Sequence, residues 1–217
     1  KKRCLILKKK KIIVLSPHPE DGEIGCGGAI QKYIQNGAEC WYVVFTIAED
    51  STHPPYKKNA QDNEMMKSVL SLGFKKSKII KKNWKVRTFS YHRQEILDFM
   101  IELRNKIKPD IVFCHSTLDI HQDHKVICEE ALRAFKLSNI FGYELPWNLL
   151  KNQNNIFFEV GKKEAHIKAK ALSNYKSRSH RPYLKKDKIL AVMSYRGLQI
   201  EKDYAEAFEG VRIINYV

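Results

Sequence analysis

The stretch Val14–Gly28, VLSPHPEDGEIGCGG, joins the end of an apolar run to a glycine-rich segment. Traced backwards, the run begins at Lys11 (KIIVLS). It is short, β-branched and closed by a turn, and so reads as a buried strand. Pro17 and Pro19 bracket His18, the acids Glu20 and Asp21 follow, and Gly22, Gly25, Gly27 and Gly28 crowd into the next few positions. Glycines after a first strand suggest a loop for nucleotide phosphates. A histidine with carboxylates suggests a metal.

The dinucleotide reading needs G-x-G-x-x-G directly after the strand and an acid about 20 residues on. Gly25 and Gly27 fit the first half, and Glu49 or Asp50 would serve as the acid. However, Ile30 stands where the third glycine belongs, and PHPED separates the glycines from the strand. The metal reading uses the same residues better. In an open α/β sheet ligands bind at the carboxyl ends of the strands, where His18 and Asp21 sit. The prolines fix φ and lower the entropy lost in holding the loop. Imidazole and carboxylate are an ordinary ligand pair for Zn²⁺. Taken alone, His18 and Asp21 fit a helix cap equally well.

A second cluster, CHSTLDIHQDHKVICEEAL, follows the apolar strand Asp110–His115 (DIVFCH) and precedes a helix, so it also lies at a strand's carboxyl end. It holds His121, Asp123 and His124 within four positions. Asp123 alone fits an N-cap, and either histidine alone fits a loop. If the two strands are neighbours, the loops converge on one crevice. A catalytic zinc keeps three protein ligands and one open position. His18, Asp21 and His124 supply such a set, leaving Glu20 and His121 beside it to act on protons.

The rest of the chain alternates strands with helices. Strands are expected at Ala38–Ile47, NIFGYEL and Val211–Ile214, besides the two already named. Helices are expected at Gly25–Gln35 (capped by Asn36-Gly37), Asn59–Leu72, Tyr91–Lys108, Asp123–Phe135, Glu164–Tyr175 and Lys188–Ala207. Ser177–Lys188 reads as an ordered, basic surface loop. This alternation implies βαβ units and a mostly parallel sheet in a single domain over residues 1–217.

Composition bounds the class. A chain of 217 residues buries a core without staples. No apolar run is long enough to span a membrane. The start, KKRCLILKKKKIIVLS, looks like a secretory leader only in outline, because lysines interrupt its apolar part. The five cysteines are odd in number and form no C-x-x-C pair, which points to a reducing compartment, most simply the cytoplasm. A net charge of +15 suits a solvated surface or an anionic partner. Nucleic-acid binding without catalysis is the competing class, but the lysines are dispersed and no helix-turn-helix or RNP-like motif stands out.

At PHPEDGEIGCGG and HQDH the chain resembles the PIG-L (LmbE-like) family of zinc-dependent N-deacetylases, whose pattern is P-H-P-D-D-E followed by G-x-G-G and later H-P-D-H. DNEMMKSVLSLG and RGLQIEKDYAEAFEGVR continue the resemblance over most of the chain. It implies a Rossmann-like three-layer sandwich. It also implies a Zn²⁺ site (Fe²⁺ as the alternative ion) on His18, Asp21 and His124, with Glu20 as general base. His121 would assist the oxyanion and leaving group, and Asp123 would orient His121. The implied substrate is an N-acetylated amino sugar of the N-acetylglucosamine type attached to a carrier, for which the positive charge suggests a phosphorylated group such as a nucleotide; an amidase of sugar–thiol conjugates is the variant within the class, and a homo-oligomer is compatible with it. Glu20 replaces the usual Asp, Gly22 a common Glu, Gln122 a common Pro, and Gln61 stands about where many relatives have a substrate-binding Arg. Trp147 is a candidate sugar platform or a core residue. His53, Arg178, His180 and Arg181 are weaker candidates for the pocket or for a phosphate.

Overall fold

The computed structural model describes residues 9–214, so Cys4 and most of the basic N-terminal stretch lie outside the described residues. Among the described residues, seven strands form one sheet in the order β3-β2-β1-β4-β5-β7-β6. Strands β1 (Lys11–Ser16), β2 (Glu39–Val44), β3 (Ile79–Lys81), β4 (Ile111–His115) and β5 (Asn139–Tyr143) run parallel. Strand β7 (Ala205–Arg212) pairs antiparallel with both β5 and the edge strand β6 (Ile156–Glu159). The expected α/β three-layer sandwich with a mostly parallel sheet is what the chain forms.

Strand β1 shows why. Ile12 and Val14 point into one apolar layer with helices α1 (Asp21–Gln35), α2 (Ala60–Ser71), α5 (Lys162–Leu172) and α6 (Lys186–Leu198). Ile13 and Leu15 point into the other, with α3 (Arg93–Ile107) and α4 (Gln122–Ala134). Side chains alternate across a strand, and helices cover both faces, so the run has no polar position until Ser16. Between β1 and β4 the winding reverses direction. The loops after these two strands therefore open into the crevice where such sheets bind ligands.

Several expectations shift. The helix expected from Gly25 begins at Asp21 and breaks at Cys26 (φ −141°, ψ 16°). Beyond the break, the Gly28 and Ala29 N–H groups donate to the Glu206 carboxylate on β7 at 2.8 and 2.7 Å, and Lys168 pairs with that carboxylate at 2.6 Å. A side chain from another element thus caps the second half of α1. The helix expected over Lys188–Ala207 ends at Leu198, and its tail is β7. Gly197 permits the reversal: a Cβ there would lie 2.4 Å from the Lys202 carbonyl oxygen. The expected strand Val211–Ile214 is the end of β7, which stops at Arg212. Strands β3 and β6, with three and four residues, are too short to show a period.

Helix α1 reaches the sheet through glycine. A Cβ on Gly25 would lie 2.2 Å from the Tyr143 ring, which is fully buried and whose hydroxyl donates to the Leu15 carbonyl at 2.8 Å. Overpacking of this kind costs about 1–3 kcal/mol. Gly25→Ala is therefore expected to lower the unfolding free energy by that amount, seen as a fall in the urea midpoint; an unchanged midpoint would show that the ring gives way freely.

Candidate metal and active site

The loop after β1 is held from several sides. The Ser16 hydroxyl donates to the His18 carbonyl at 2.7 Å and accepts from the Gly22 N–H at 3.0 Å. Glu20 takes a left-handed backbone (φ 74°), and its N–H donates to the Tyr175 hydroxyl at 2.8 Å. The Tyr175 hydroxyl donates in turn to Glu23 at 2.6 Å, and the Tyr42 hydroxyl meets the same buried carboxylate. This explains Gly22. A Cβ there would sit 2.7 Å from Val14 and 3.0 Å from Tyr42. Where the family pattern has Glu, the chain packs a bare backbone and buries a carboxylate one residue later.

His18, Asp21 and His124 meet. His18 Nδ1 lies 3.1 Å from Asp21 Oδ2 and 3.1 Å from His124 Nε2, and His124 Nε2 lies 3.3 Å from Asp21 Oδ2. The outer nitrogen of each ring has its own acceptor. His18 Nε2 is 2.9 Å from Asp123 Oδ2, and His124 Nδ1 is 2.9 Å from Asp119 Oδ2. In the neutral imidazoles those outer nitrogens carry the protons, so the inner nitrogens present lone pairs. In that tautomer the two nitrogen lone pairs face Asp21 Oδ2, which also accepts the His18 backbone N–H at 2.9 Å. Four-coordinate zinc with bonds of about 2.0–2.1 Å sets its ligand atoms about 3.3 Å apart. The three donors fit such an ion in type and spacing, with the second carboxylate partners that fix ligand rings in metal sites.

The neighbouring groups also shift the titration of these side chains. Asp21 is buried, which alone would favour its acid form, yet His124, His115 and His18 hold its carboxyl well below the usual range. Burial disfavours a charged His18, but hydrogen bonds to Asp123 and Asp21 outweigh it and raise its pKa. Asp119, also desolvated, is driven down by His115 and His124.

Glu20 and His121 flank the triad. Glu20 is 2% exposed. One carboxylate oxygen pairs with the Arg178 guanidinium, and Oε2 is buried without a partner. Burial pushes its pKa up to about 8, against the pull of Arg178. The His121 ring lies 4.9 Å from that of His18 and 4.3 Å from that of His124. Its Nδ1 accepts the Asp123 N–H at 3.2 Å as the cap of α4, so the neutral ring carries its proton on Nε2. Burial and the neighbouring imidazoles push its pKa down to about 4.

Asp123 departs from expectation. Its carboxylate does not hold His121: it accepts from His18 Nε2 and from the backbone N–H of Arg87 (2.6 Å) and Phe89 (3.3 Å). The loop before α3 lies against Asp123, a contact that sequence spacing does not reveal. Arg178, expected on a solvated loop, turns inward to Glu20. Gln61 does not line the pocket: it is buried, and its amide donates to Thr52 Oγ1 at 2.9 Å. Two further residues had no assigned part. Asp119 orients His124. His115, the last residue of β4, stacks on His124 at 3.7 Å and lies within 3.2 and 3.5 Å of Asp119 and Asp21, out of line for hydrogen bonds to either. Asp21, His115 and His124 form an alternative donor group, as do His18, His121 and His124. His115 was legible as the polar end of an apolar strand. A pocket of about 140 Å³ opens over the triad, walled by Leu145, Trp147, Asn148 and Tyr183.

Two imidazoles and a carboxylate thus converge at the switch point of the α/β sheet as a group that could hold a metal ion. A family model described as PIG-L, GlcNAc-PI de-N-acetylase, matches residues 13–135. The chain belongs to the PIG-L family. An Escherichia coli K12 protein described as an uncharacterized deacetylase, YaiS, is 25% identical over 176 residues, spanning 78% of this chain and 92% of that protein. Among solved structures, N,N′-diacetylchitobiose deacetylase from Pyrococcus horikoshii superposes with a TM-score of 0.75 at 23% identity, over 93% of this chain and 84% of that one. The hydratase GalB from Pseudomonas putida KT2440 superposes at 0.71 with 16% identity, over 96% and 99% of the two chains. The fold thus carries a deacetylase and a hydratase alike, and the reaction has to be argued from the site.

Asp119→Asn keeps the size of the side chain that holds His124 but removes its charge. Loss of such an outer partner typically weakens metal affinity 10–100-fold. Competition against a chromogenic chelator is expected to show a fall in that range; wild-type zinc affinity in the variant would mean that Asp119 does not support the ligand.

Proposed function

We propose that this chain is a metal-dependent N-deacetylase that hydrolyses the acetamide of an N-acetylated amino sugar to the free amine and acetate. The observation that carries the reading is the convergence of His18 Nδ1, Asp21 Oδ2 and His124 Nε2 within 3.1–3.3 Å, with a partnerless oxygen of Glu20 buried beside them. Zinc is the ion proposed; two imidazoles and a carboxylate also suit Fe²⁺. When bound there, the ion supplies Lewis acidity toward the amide carbonyl and toward water.

The protein's own groups do the rest. Glu20 Oε2 is free to take the proton of the attacking water, while the other oxygen stays anchored to Arg178. The longer Glu serves where the family pattern has Asp because Arg178 fixes its extra methylene. His121 presents Nε2–H to the developing oxyanion, a donor of a kind worth roughly 3–4 kcal/mol. Glu20 then returns its proton to the departing amine. Asp123 acts on this sequence through His18 and through the backbone around Arg87. Trp147, stacked on Tyr183 at 4.0 Å and 44% exposed, offers an aromatic face to the sugar at the pocket wall. Cys26, Cys40, Cys114 and Cys128 are buried free thiols, which supports a cytoplasmic setting. The whole reaction is proposed to lie within one domain.

His18→Ala and His124→Ala are expected to lose bound metal and acetate release together. Glu20→Gln is expected to keep one metal per chain and lose turnover by at least about 100-fold, as for removal of a general base. Acetate release from N-acetylglucosamine derivatives, with metal content measured on the same samples, checks both. Full turnover in Glu20→Gln would remove Glu20 from the mechanism.

A further inference from the structure

Glu20 stands at the N-terminal end of α1, where a carboxylate ordinarily folds back onto the free amides of the first turn. Its side chain does not cap the helix. The Gly22 N–H is taken by the Ser16 hydroxyl at 3.0 Å, and the Glu20 carbonyl accepts the Ile24 N–H at 2.9 Å, so the carboxylate is released toward the pocket that it lines. The backbone of Glu20 is left-handed (φ 74°, ψ −25°), a region that residues with a Cβ seldom occupy unless their surroundings hold them there. Two groups from a distant segment hold it. The Tyr175 hydroxyl accepts the Glu20 N–H at 2.8 Å, and the Arg178 guanidinium pairs with one carboxylate oxygen. Both belong to one turn, in which the Arg178 N–H donates to the Tyr175 carbonyl at 3.2 Å. That turn is itself tied down. The N–H and hydroxyl of Ser177 donate to the buried Glu64 carboxylate at 2.9 and 2.6 Å, and the Tyr56 hydroxyl donates to the Lys176 carbonyl at 3.0 Å.

We propose that Tyr175 is a positioning residue for Glu20, holding its backbone in the left-handed turn so that, with Arg178 on one oxygen, Oε2 alone is left free to meet the reacting water. The proposal rests on the deacetylase reading of the site and adds to it a fully buried residue outside the pocket lining. A tyrosine hydroxyl carries one proton, and that of Tyr175 goes to Glu23 Oε1 at 2.6 Å, so its lone pairs are left to accept the Glu20 N–H. Glu23 lies in the first turn of α1, three residues after Glu20. The helix thus aims the hydroxyl that fixes its own entry residue. Without that hydroxyl the buried Glu20 N–H loses its acceptor, and the left-handed turn loses the contact that offsets its strain. A displacement of about 1 Å at a reacting group is enough to cost a large part of its effect. The rings of His18 and His124 take their outer partners from Asp123 and Asp119 and do not depend on Tyr175. The loss therefore falls on turnover and leaves zinc in place.

Tyr175→Phe keeps the ring and removes the hydroxyl. With the zinc-loaded protein and an N-acetylglucosamine derivative that the wild type turns over, the variant is expected to keep its zinc and its KM while kcat falls about tenfold or more. Ser138→Ala removes a buried hydroxyl that donates to the Pro109 carbonyl at 2.7 Å, away from the site, and is expected to leave kcat unchanged. The decisive arm repeats Tyr175→Phe in the Glu20→Gln background. A residue that acts through Glu20 has little left to lose there, so the further fall is expected to be less than about twofold, whereas a merely structural role costs the same factor in both backgrounds. An unchanged kcat in Tyr175→Phe, an equal loss in Ser138→Ala, or an equal loss with and without Glu20 would each overturn the assignment. Should the wild type release acetate from no N-acetylglucosamine derivative, the deacetylase reading fails by itself. Hydrogen exchange of the Glu20 amide, followed by NMR in the zinc-loaded proteins, then decides the positioning: exchange faster by about tenfold in Tyr175→Phe alone upholds it, and wild-type protection removes it. Circular dichroism confirms folding. If Tyr175→Phe does not fold, Ser177→Ala, which loosens the same turn from Glu64, takes its place and is expected to show a smaller fall in kcat with the same dependence on Glu20.

Discussion

Two imidazole nitrogens and a carboxylate oxygen lie 3.1–3.3 Å apart with their lone pairs turned inward. Like partial charges at such range are costly in a desolvated site unless a cation sits among them. The surrounding structure maintains this arrangement. Asp123 and Asp119 take the outer protons of His18 and His124 and so hold each ring in the tautomer that exposes the inner lone pair. The sheet order brings the loops after β1 and β4 side by side, although His18 and His124 stand more than a hundred residues apart in the chain.

The groups around the triad divide the remaining work by environment. Glu20 is desolvated and balanced by a single guanidinium, with one oxygen fixed and one free. His121 is held neutral, its proton directed away from the cap of α4. A carboxylate able to exchange protons and an imidazole able to donate a hydrogen bond are the complement that amide hydrolysis asks of a protein. The same environment accounts for the departures from the family pattern. Arg178 reaches the longer Glu20, and Gly22 gives room to Val14 and Tyr42 while Glu23 supplies the buried carboxylate.

Much of this is legible in the sequence because the candidate ligands are local to two strand ends. KIIVLS and DIVFCH announce buried strands, and histidines with acids in the loop after each mark the crevice. His18, Asp21, His124, Glu20 and His121 could therefore be named before any coordinates. What escaped depends on contacts between distant segments. Asp123 serves His18 because the Arg87 loop and the β1 loop both fold onto it. Arg178 belongs to the site because the loop after α5 folds onto Glu20, whereas its basic, proline-containing surroundings resemble any solvated turn. The tail of α6 was read as helix because AEAFEG has no distinct period, and the reversal at Gly197 depends on the approach of the Lys202 backbone.

The most direct measurement is the position of the ion itself. Crystals grown with zinc and recorded above and below its absorption edge should show one anomalous peak within about 2 Å of His18 Nδ1, Asp21 Oδ2 and His124 Nε2. A principal peak on His115 or on His121 in place of that trio, or none in protein shown to contain stoichiometric zinc, would contradict the account.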